Sequence, residues 1–196
     1  MPNTDPGEGL LRLLEAEPEV AQALDLIADF NVAWHHPLEN LAIPAGLPLV
    51  PIASDGAGGT YYLVGGPEEE RRPVLYTDSE GCGSLIAEDL AEAVAIFIAL
   101  GFWHDAGHGR ALADTEQDLR ESEPDIDQIR ADLLAATGVP RLTAEEARDR
   151  LLAAAARTAP DYVALADFHD ALPYAPLFAP PRGTAGVTRV VGAASE

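Results

Sequence analysis

The sequence contains no lysine and one cysteine, and both scarcities narrow what the chain can be. Its 12 basic residues other than histidine are all arginine, and they face 33 acidic residues, for a formal net charge of -21. Such a field repels phosphate backbones and anionic membranes, so we expect binding to neither. With Cys82 alone, no intramolecular disulfide can form, which suits a reducing compartment.

Long apolar runs are also missing. The longest, residues 93–103, is well short of the roughly 20 residues that a membrane-spanning helix needs. The first residues are acidic and polar, without the basic start and apolar stretch of a secretory signal. We therefore expect a cytoplasmic protein. At 196 residues, 47% hydrophobic and 23% charged, the composition is that of a globular chain.

Residues 47–100 carry the clearest structural pattern. The apolar stretch 47–53 contains two prolines, which cannot donate to a ladder, and so predicts an edge strand. Two β-branched and aromatic runs, 60–64 and 73–77, predict further strands. Residues 84–87 add a short strand or lead straight into a helix. That helix, over 88–100, has a wide apolar face and is expected to end at Gly101.

The flanking regions predict helices. Residues 9–31 have helical spacing divided by Pro18, and residues 122–158 read as two helices with capping boxes at Ser122 and Thr143. A third helical turn is expected over 161–170. The pattern predicts an α+β fold, in which helices cover a small antiparallel or mixed sheet and a helical extension follows at the C-terminal end.

These elements suggest four regions. An α+β domain spans 1–103, a polar connection spans 104–121, and a helical extension spans 122–172, packed on or following the domain. The last region, 173–196, is rich in proline and then in glycine and alanine, so a poorly packed tail is expected.

A glycine-rich turn separates the first two predicted strands. Gly56, Gly58 and Gly59 allow a tight turn, and Asp55 is placed to cap its backbone amides. The stretch resembles a phosphate loop, but it lacks the lysine and does not open a helix. We interpret it as a structural turn.

Carboxylates cluster in the turns of this region, and they form a candidate acidic rim for a basic partner protein. If the strands form a meander, the turns at 55 and at 78–80 share one end of the sheet, while the loop at 68–70 lies at the other. The alternative interpretation is solvated turn residues. The candidates are Asp55, Asp78, Glu80, Glu68, Glu69 and Glu70.

Two other constellations carry possible chemistry. His104 and His108 are four residues apart, and Asp105 adds a third possible metal ligand, although Gly107 weakens a helix between them. The alternative is a solvated helix end. Cys82 lies between glycines without a neighbouring histidine, which favours a spectator thiol over a nucleophile. We expect no catalytic residue, no cofactor and no bound metal.

The middle of the chain resembles the SUKH superfamily. The resemblance covers about 60 residues and rests on an ordered set of pieces: Val50-Pro-Ile-Ala53, the acidic glycine-rich turn, an aromatic strand, Pro73-Val-Leu-Tyr76 and a closing helix. Residues 22–37 lack the sequence motif that usually precedes the sheet in that family. The helices after His104 lie beyond the usual core of the family. The resemblance implies an α+β protein without catalytic machinery that binds another protein; many bacterial members are immunity proteins that neutralise toxins.

The leading expectation is a non-enzymatic protein-binding module, an immunity protein that neutralises a bacterial toxin by direct binding. One alternative is a metal-dependent hydrolase built on His104, Asp105 and His108. Another is a scaffold that assembles through its C-terminal helices. The identity of the partner and the oligomeric state stay open at this stage.

Overall fold

The computed structural model describes residues 6–69, 71–167 and 170–178. Two helices come first, α1 (Pro6–Ala16) and α2 (Pro18–Ala28). Pro18 separates them as the sequence predicts: it occupies the first turn of α2, where its missing N–H has no helical partner to lose. Leu24 and Ile27 of α2 are fully buried, and they turn this helix toward the sheet.

The central sheet has five strands within the described residues. Four of them form an antiparallel meander: β2 (Leu49–Ser54), β3 (Thr60–Val64), β4 (Val74–Thr77) and β5 (Cys82–Ala87). The fifth, β7 (Ala175–Pro176), pairs with β5 in parallel, so the order is β2-β3-β4-β5-β7. β2 lies at the edge, as its prolines predict. A separate antiparallel pair joins β1 (Leu41–Ala42) to β6 (Leu165–Ala166).

Both faces of the sheet are buried, because alternate residues enter two different cores. Tyr61, Leu63 and Tyr76 belong to the larger core beneath the helices. Tyr62, Leu75 and Leu85 point the other way and pack with Ile43, Ala154 and Ala164. Strand β3 is therefore buried along its whole length instead of showing an exposed face.

In the part of the chain that the structure describes, five helices follow the meander: α3 (Leu90–Leu100), α4 (Trp103–Gly107), α5 (Leu112–Ser122), α6 (Ile126–Thr137) and α7 (Ala144–Ala156). Helix α3 begins at Asp89, whose carboxylate accepts the Glu92 N–H at 2.8 Å, and ends at Gly101 with φ 62°. Ile126, Leu133 and Leu151 join the same core as α3 and the sheet. In addition, the Leu85 N–H donates to the Thr158 hydroxyl at 2.9 Å.

The fold class is confirmed: the protein is α+β, with a mixed sheet covered by helices. The capping box at Thr143 is present, since both of its reciprocal hydrogen bonds form. The capping box at Ser122 is wrong. Ser122 is the last residue of α5, so its backbone is helical, and α6 begins after Asp125 without a side-chain cap.

Three other regions differ from expectation. Residues 104–121, predicted as a polar connection with no element assigned to it, are largely helical and hold most of α4 and α5. The third helical turn is wrong, because the described part of 161–170 holds β6 instead. Residues 173–178 are packed: Leu177 and Phe178 enter the main core, and the Leu177 N–H donates to Ser84 Oγ at 3.1 Å. The rest of the predicted tail, 179–196, lies outside the described residues.

Among the described residues, no helix is both long enough and apolar enough to cross a lipid bilayer.

Candidate acidic binding face

An aromatic cluster holds the end of α2 over the sheet. Phe30, Tyr61 and Trp103 are buried with their rings 4.9–6.1 Å apart in successive pairs. The Tyr61 hydroxyl donates to the carbonyl oxygens of Ala28 and Asp29 at 3.4 and 3.3 Å, and Trp103 Nε1 donates to the same Ala28 oxygen at 3.2 Å. These donors satisfy carbonyls that the helix terminus leaves free.

The same helix end carries two carboxylates and no basic residue in its last turn. Asp29 adopts the left-handed conformation with φ 54°, and its N–H closes the helix on the Asp25 carbonyl at 2.8 Å. Negative side chains at a helix C-terminus oppose the helix dipole. Burial, and then the charges of Asp55 and Asp25, raise the pKa of Asp29, although a hydrogen bond from Gly56 acts in the opposite direction. The local charge arrangement therefore costs stability.

The turn between β2 and β3 is built around Asp55. This residue is only 5% exposed, and its Oδ1 accepts the N–H groups of Ala57 and Gly59 at 2.9 and 2.6 Å. Its Oδ2 accepts the Tyr76 hydroxyl at 2.5 Å. A Cβ on Gly59 would lie 2.2 Å from that hydroxyl oxygen, so only glycine fits there. Asp55 serves the turn and is not at the surface where a partner would bind.

The second turn of this end, between β4 and β5, is organised in the same way. Asp78 Oδ1 accepts the N–H groups of Glu80 and Cys82 at 2.9 and 2.7 Å. Gly58 in the first turn approaches Ser79 so closely that a Cβ there would sit 3.4 Å from the Ser79 Cβ. The structure thus brings Asp55, Asp78 and Glu80 to one end of the sheet, with Glu80 exposed and Asp78 half-buried.

The other predicted rim residues lie elsewhere. Glu68 and Glu69 are exposed in the β3–β4 loop, at the opposite end of the meander. Glu70 is outside the described residues. The predicted rim of six carboxylates is therefore not one surface.

Three carboxylates that the sequence did not single out complete the end of the sheet. Asp29 Oδ1 accepts the Gly56 N–H at 2.9 Å, and Asp25 accepts the Asn31 side-chain amide at 3.0 Å. Glu39 accepts the Tyr174 hydroxyl next to the second turn. We call the accessible carboxylates of this set the acidic end: Asp25, Asp29, Glu39, Asp78 and Glu80. The buried Asp55 lies beneath them and supports the turn.

Arginine is distributed unevenly around the molecule. The ion pairs of the described residues join side chains of the helices or of their flanking residues: Arg12–Glu8, Arg110–Asp105, Arg110–Asp118, Arg120–Glu116, Arg120–Asp127, Arg130–Glu116, Arg150–Glu92 and Arg157–Glu88. In the same described part of the chain, no carboxylate of the acidic end belongs to any of these pairs. The ion pairs of the described residues thus lie in the helical layer, where they offset part of its negative charge, and none lies at the acidic end.

A cleft of about 450 Å³ opens beside the acidic end, between α2 and α4. Asp25 and Asp29 line one wall, and Asp105, which pairs with Arg110, contributes to the other. Leu26, 50% exposed, and Phe102 give the cleft apolar surface as well. Its chemistry suits a cationic side chain with an aliphatic stem.

His104 lies at this cleft but has the chemistry of a packed side chain. Its ring stacks 3.7 Å from the Trp103 ring and 4.8 Å from that of Tyr76. Burial is the largest cause that lowers the pKa of His104, to about 4, so the imidazole is neutral near pH 7. His108 is exposed and faces Phe178. Residues 6–69, 71–167 and 170–178 contain no group of three side chains placed to hold a metal ion.

Cys82 is half-buried at the start of β5. Burial, and then the neighbouring charge of Asp78, raise the pKa of the thiol. A raised pKa keeps the sulfur protonated, which is the opposite of what activates a nucleophilic cysteine.

The sequence contained one usable signal for the residues it missed. Asp25 and Asp29 end a helix that has no basic residue in its last turn, and a local charge rule broken without compensation often marks a functional position. Glu39 had no such signal, because only the folded chain brings residue 174 to it. Comparison with known proteins adds nothing to this picture: no family model, no curated protein and no solved structure matches the chain.

Proposed function

We propose that this is a non-enzymatic protein that captures a basic partner protein through its acidic end. The supporting observation is the uncompensated charge: five accessible carboxylates gather at one end of the sheet, and none of them pairs with an arginine within the described residues. Complementary charge steers association and selects partners of opposite sign.

The long-range field supports the same proposal. A net charge of -21 on 196 residues accelerates encounter with a cationic protein and slows encounter with nucleic acid or with another copy of the chain. The end of α2 brings like charges together without a basic residue, and a bound cation would reduce the repulsion between them.

The finer form of the proposal is an immunity protein of the cytoplasm that neutralises a bacterial toxin by direct binding. The resemblance of residues 47–100 to the SUKH superfamily motivates it, together with the order of strands, turn and helix. Toxin domains that attack nucleic acid carry basic surfaces, and such a surface would match the acidic end.

The test is binding to the protein encoded by the neighbouring gene. The purified full chain and that protein are mixed and followed by calorimetry at about 50 and 200 mM salt, conditions between which screening of surface charge grows considerably. We expect a one-to-one complex whose affinity falls as salt rises, and rescue of cells that express the toxin. Absence of a complex contradicts the finer proposal, and an affinity independent of salt contradicts capture by charge.

A further inference from the structure

An exposed tryptophan stands beside the acidic end. Trp34 is 59% exposed and Leu38 is 74% exposed, and both lie in residues 31–39, which we call the 31–39 loop. The residues just before them are ordinary core: Phe30 is 0% exposed and Val32 is 7% exposed. A large aromatic side chain gains most of its stabilisation from burial, so its exposure here has no explanation within the folded chain.

Hydrogen bonds hold the N-terminal end of the 31–39 loop. Asn31 forms two backbone hydrogen bonds with Ser54, at 3.0 and 3.1 Å, and its side-chain amide donates to Asp25 at 3.0 Å. The Asn31 side-chain oxygen then accepts the Ala33 N–H at 3.0 Å, and the Trp34 N–H reaches the Asn31 carbonyl at 3.4 Å. This turn fixes the backbone that presents Trp34.

Residues from the C-terminal part of the described chain, Asp167 and Tyr174, hold the C-terminal end of the loop. Glu39 accepts the Tyr174 hydroxyl, and the Asn40 carbonyl accepts the Asp167 N–H at 2.8 Å. A Cβ on Gly58 would lie 3.5 Å from Leu38 Cδ1, so Leu38 stands over the glycine turn. Because hydrogen bonds hold both ends of the 31–39 loop, less of its backbone has to be ordered when a partner binds, which reduces the entropic cost of binding.

We propose that the 31–39 loop is the hydrophobic anchor of the partner-binding surface, and that it inserts Trp34 and Leu38 into an apolar socket with a basic rim on the partner protein. The inference rests on the proposed function. Charge complementarity indicates that the partner is basic. Asp25 lies at the N-terminal end of the loop and Glu39 at its C-terminal end, and neither forms an ion pair within the described residues.

A second copy of the chain does not fit this surface, since it would bring the same carboxylates face to face. Tryptophan is also the residue type most enriched among the few side chains that supply most of an interface's binding energy. The acidic end selects the partner, and the loop holds it.

The test uses two synthetic peptides of equal length and charge, one alternating arginine with leucine and the other alternating arginine with serine. Each is titrated into the full chain while quenching of tryptophan fluorescence by acrylamide is measured. Trp103 is 1% exposed, so Trp34 supplies the quenchable signal. We expect the leucine peptide to bind at least about tenfold more tightly, the effect of one interface hot spot, and to shield Trp34.

Variants make the result specific. Peptide affinities of the variants are measured by calorimetry, which needs no tryptophan signal. Trp34→Ala and Leu38→Ser should remove the advantage of the leucine peptide and leave binding of the serine peptide unchanged, whereas the control Leu152→Ser, on the outside of α7, should change neither. Equal affinity of the two peptides for the wild type, or an undiminished advantage in Trp34→Ala, overturns the inference. If neither arginine peptide binds, the acidic end itself fails as a binding surface, and the inference falls with it.

Discussion

At the scale of single residues, the carboxylate of Asp29 is in an unfavourable position for the stability of the fold. Asp29 is in a left-handed backbone conformation at the negative end of α2, beside Asp25 and Asp55, and burial is the main reason its pKa is raised. A raised pKa means that the folded state disfavours the ionised form. The penalty is therefore fully present at neutral pH and disappears below the ordinary pKa of 3.8.

We predict that Asp29→Asn stabilises the protein at pH 7. The amide keeps an oxygen to accept the Gly56 N–H and removes the charge at the helix end, so unfolding free energy should rise by about 0.3–1 kcal/mol in urea denaturation. The same substitution should weaken binding of a basic partner. The gain in stability should shrink as pH falls toward 3.8, and a loss of stability at pH 7 would contradict the account.

His104 changes the stability of the fold with pH in the opposite direction to Asp29. Its pKa in the folded protein is about 4, below the ordinary 6.5, because burial disfavours the cation. The unfolded chain therefore takes up a proton first as pH falls, and the contribution of His104 to stability is lost between pH 6.5 and about 4. Stacking on Trp103 fixes the ring in this environment.

We predict that NMR titration of the imidazole signals gives His104 a pKa close to 4. In urea denaturation, the wild type should lose more stability than His104→Gln between pH 6.5 and 4, since the amide binds no proton. Parallel stability curves for the two proteins, or an imidazole that titrates near 6.5, would show that the ring is solvated.

At the scale of elements, the β2–β3 turn decides whether the acidic end exists. Asp55 collects two backbone amides and the Tyr76 hydroxyl, and this fixes the turn to the central strands. Gly59 leaves the space for that carboxylate, with no room for a methyl group between Tyr76 and Asp55. Asp29 and Ser79 pack against the turn from either side.

We predict that Gly59→Ala lowers the unfolding free energy by about 1–3 kcal/mol, the usual effect of overfilling a packed site. The matched control is Gly9→Ala in α1, where a Cβ meets nothing within 4 Å and removal of a helical glycine should stabilise by about 0.5–1 kcal/mol. Thermal unfolding of both variants measures the difference. Equal stability of the two variants would mean that the turn has room to adjust.

Some elements of the fold could be predicted from the local sequence pattern alone. Strands β2 to β4, the end of α3 at Gly101 and the capping box at Thr143 follow from local pattern, because each depends on residues within a few positions of one another. Ser122 carried the same local pattern as Thr143, and it failed because α5 extends through it.

Long-range partners were the part that the sequence could not supply. Nothing local links Glu39 to Tyr174 or the Leu85 amide to Thr158, and β7 forms only because residues 175–176 return to the side of β5. The acidic candidates were therefore chosen by type. The meander pattern did place Glu68 and Glu69 at the other end of the sheet, but Asp55 proved buried, and Asp25 and Asp29 were needed to complete the surface.

At the scale of the whole molecule, the helical layer and the acidic end differ in how their negative charge is paired. Ion pairs offset part of the charge in the helical layer, and the surface pairs among them contribute little individually because solvent screens them. At the acidic end no such pairing is present among the described residues.

The most direct test compares two triple variants, each of which removes three negative charges. Asp25→Asn/Asp29→Asn/Glu80→Gln changes the acidic end, and Glu15→Gln/Glu17→Gln/Asp149→Asn changes exposed carboxylates of the helical layer. The measurement is the Kd for the basic protein encoded by the neighbouring gene, by calorimetry at low salt. We predict a loss of at least about tenfold for the first variant and an affinity near that of the wild type for the second. Equal losses would show that net charge alone governs binding, and no loss in the first variant would contradict the acidic end as the binding surface.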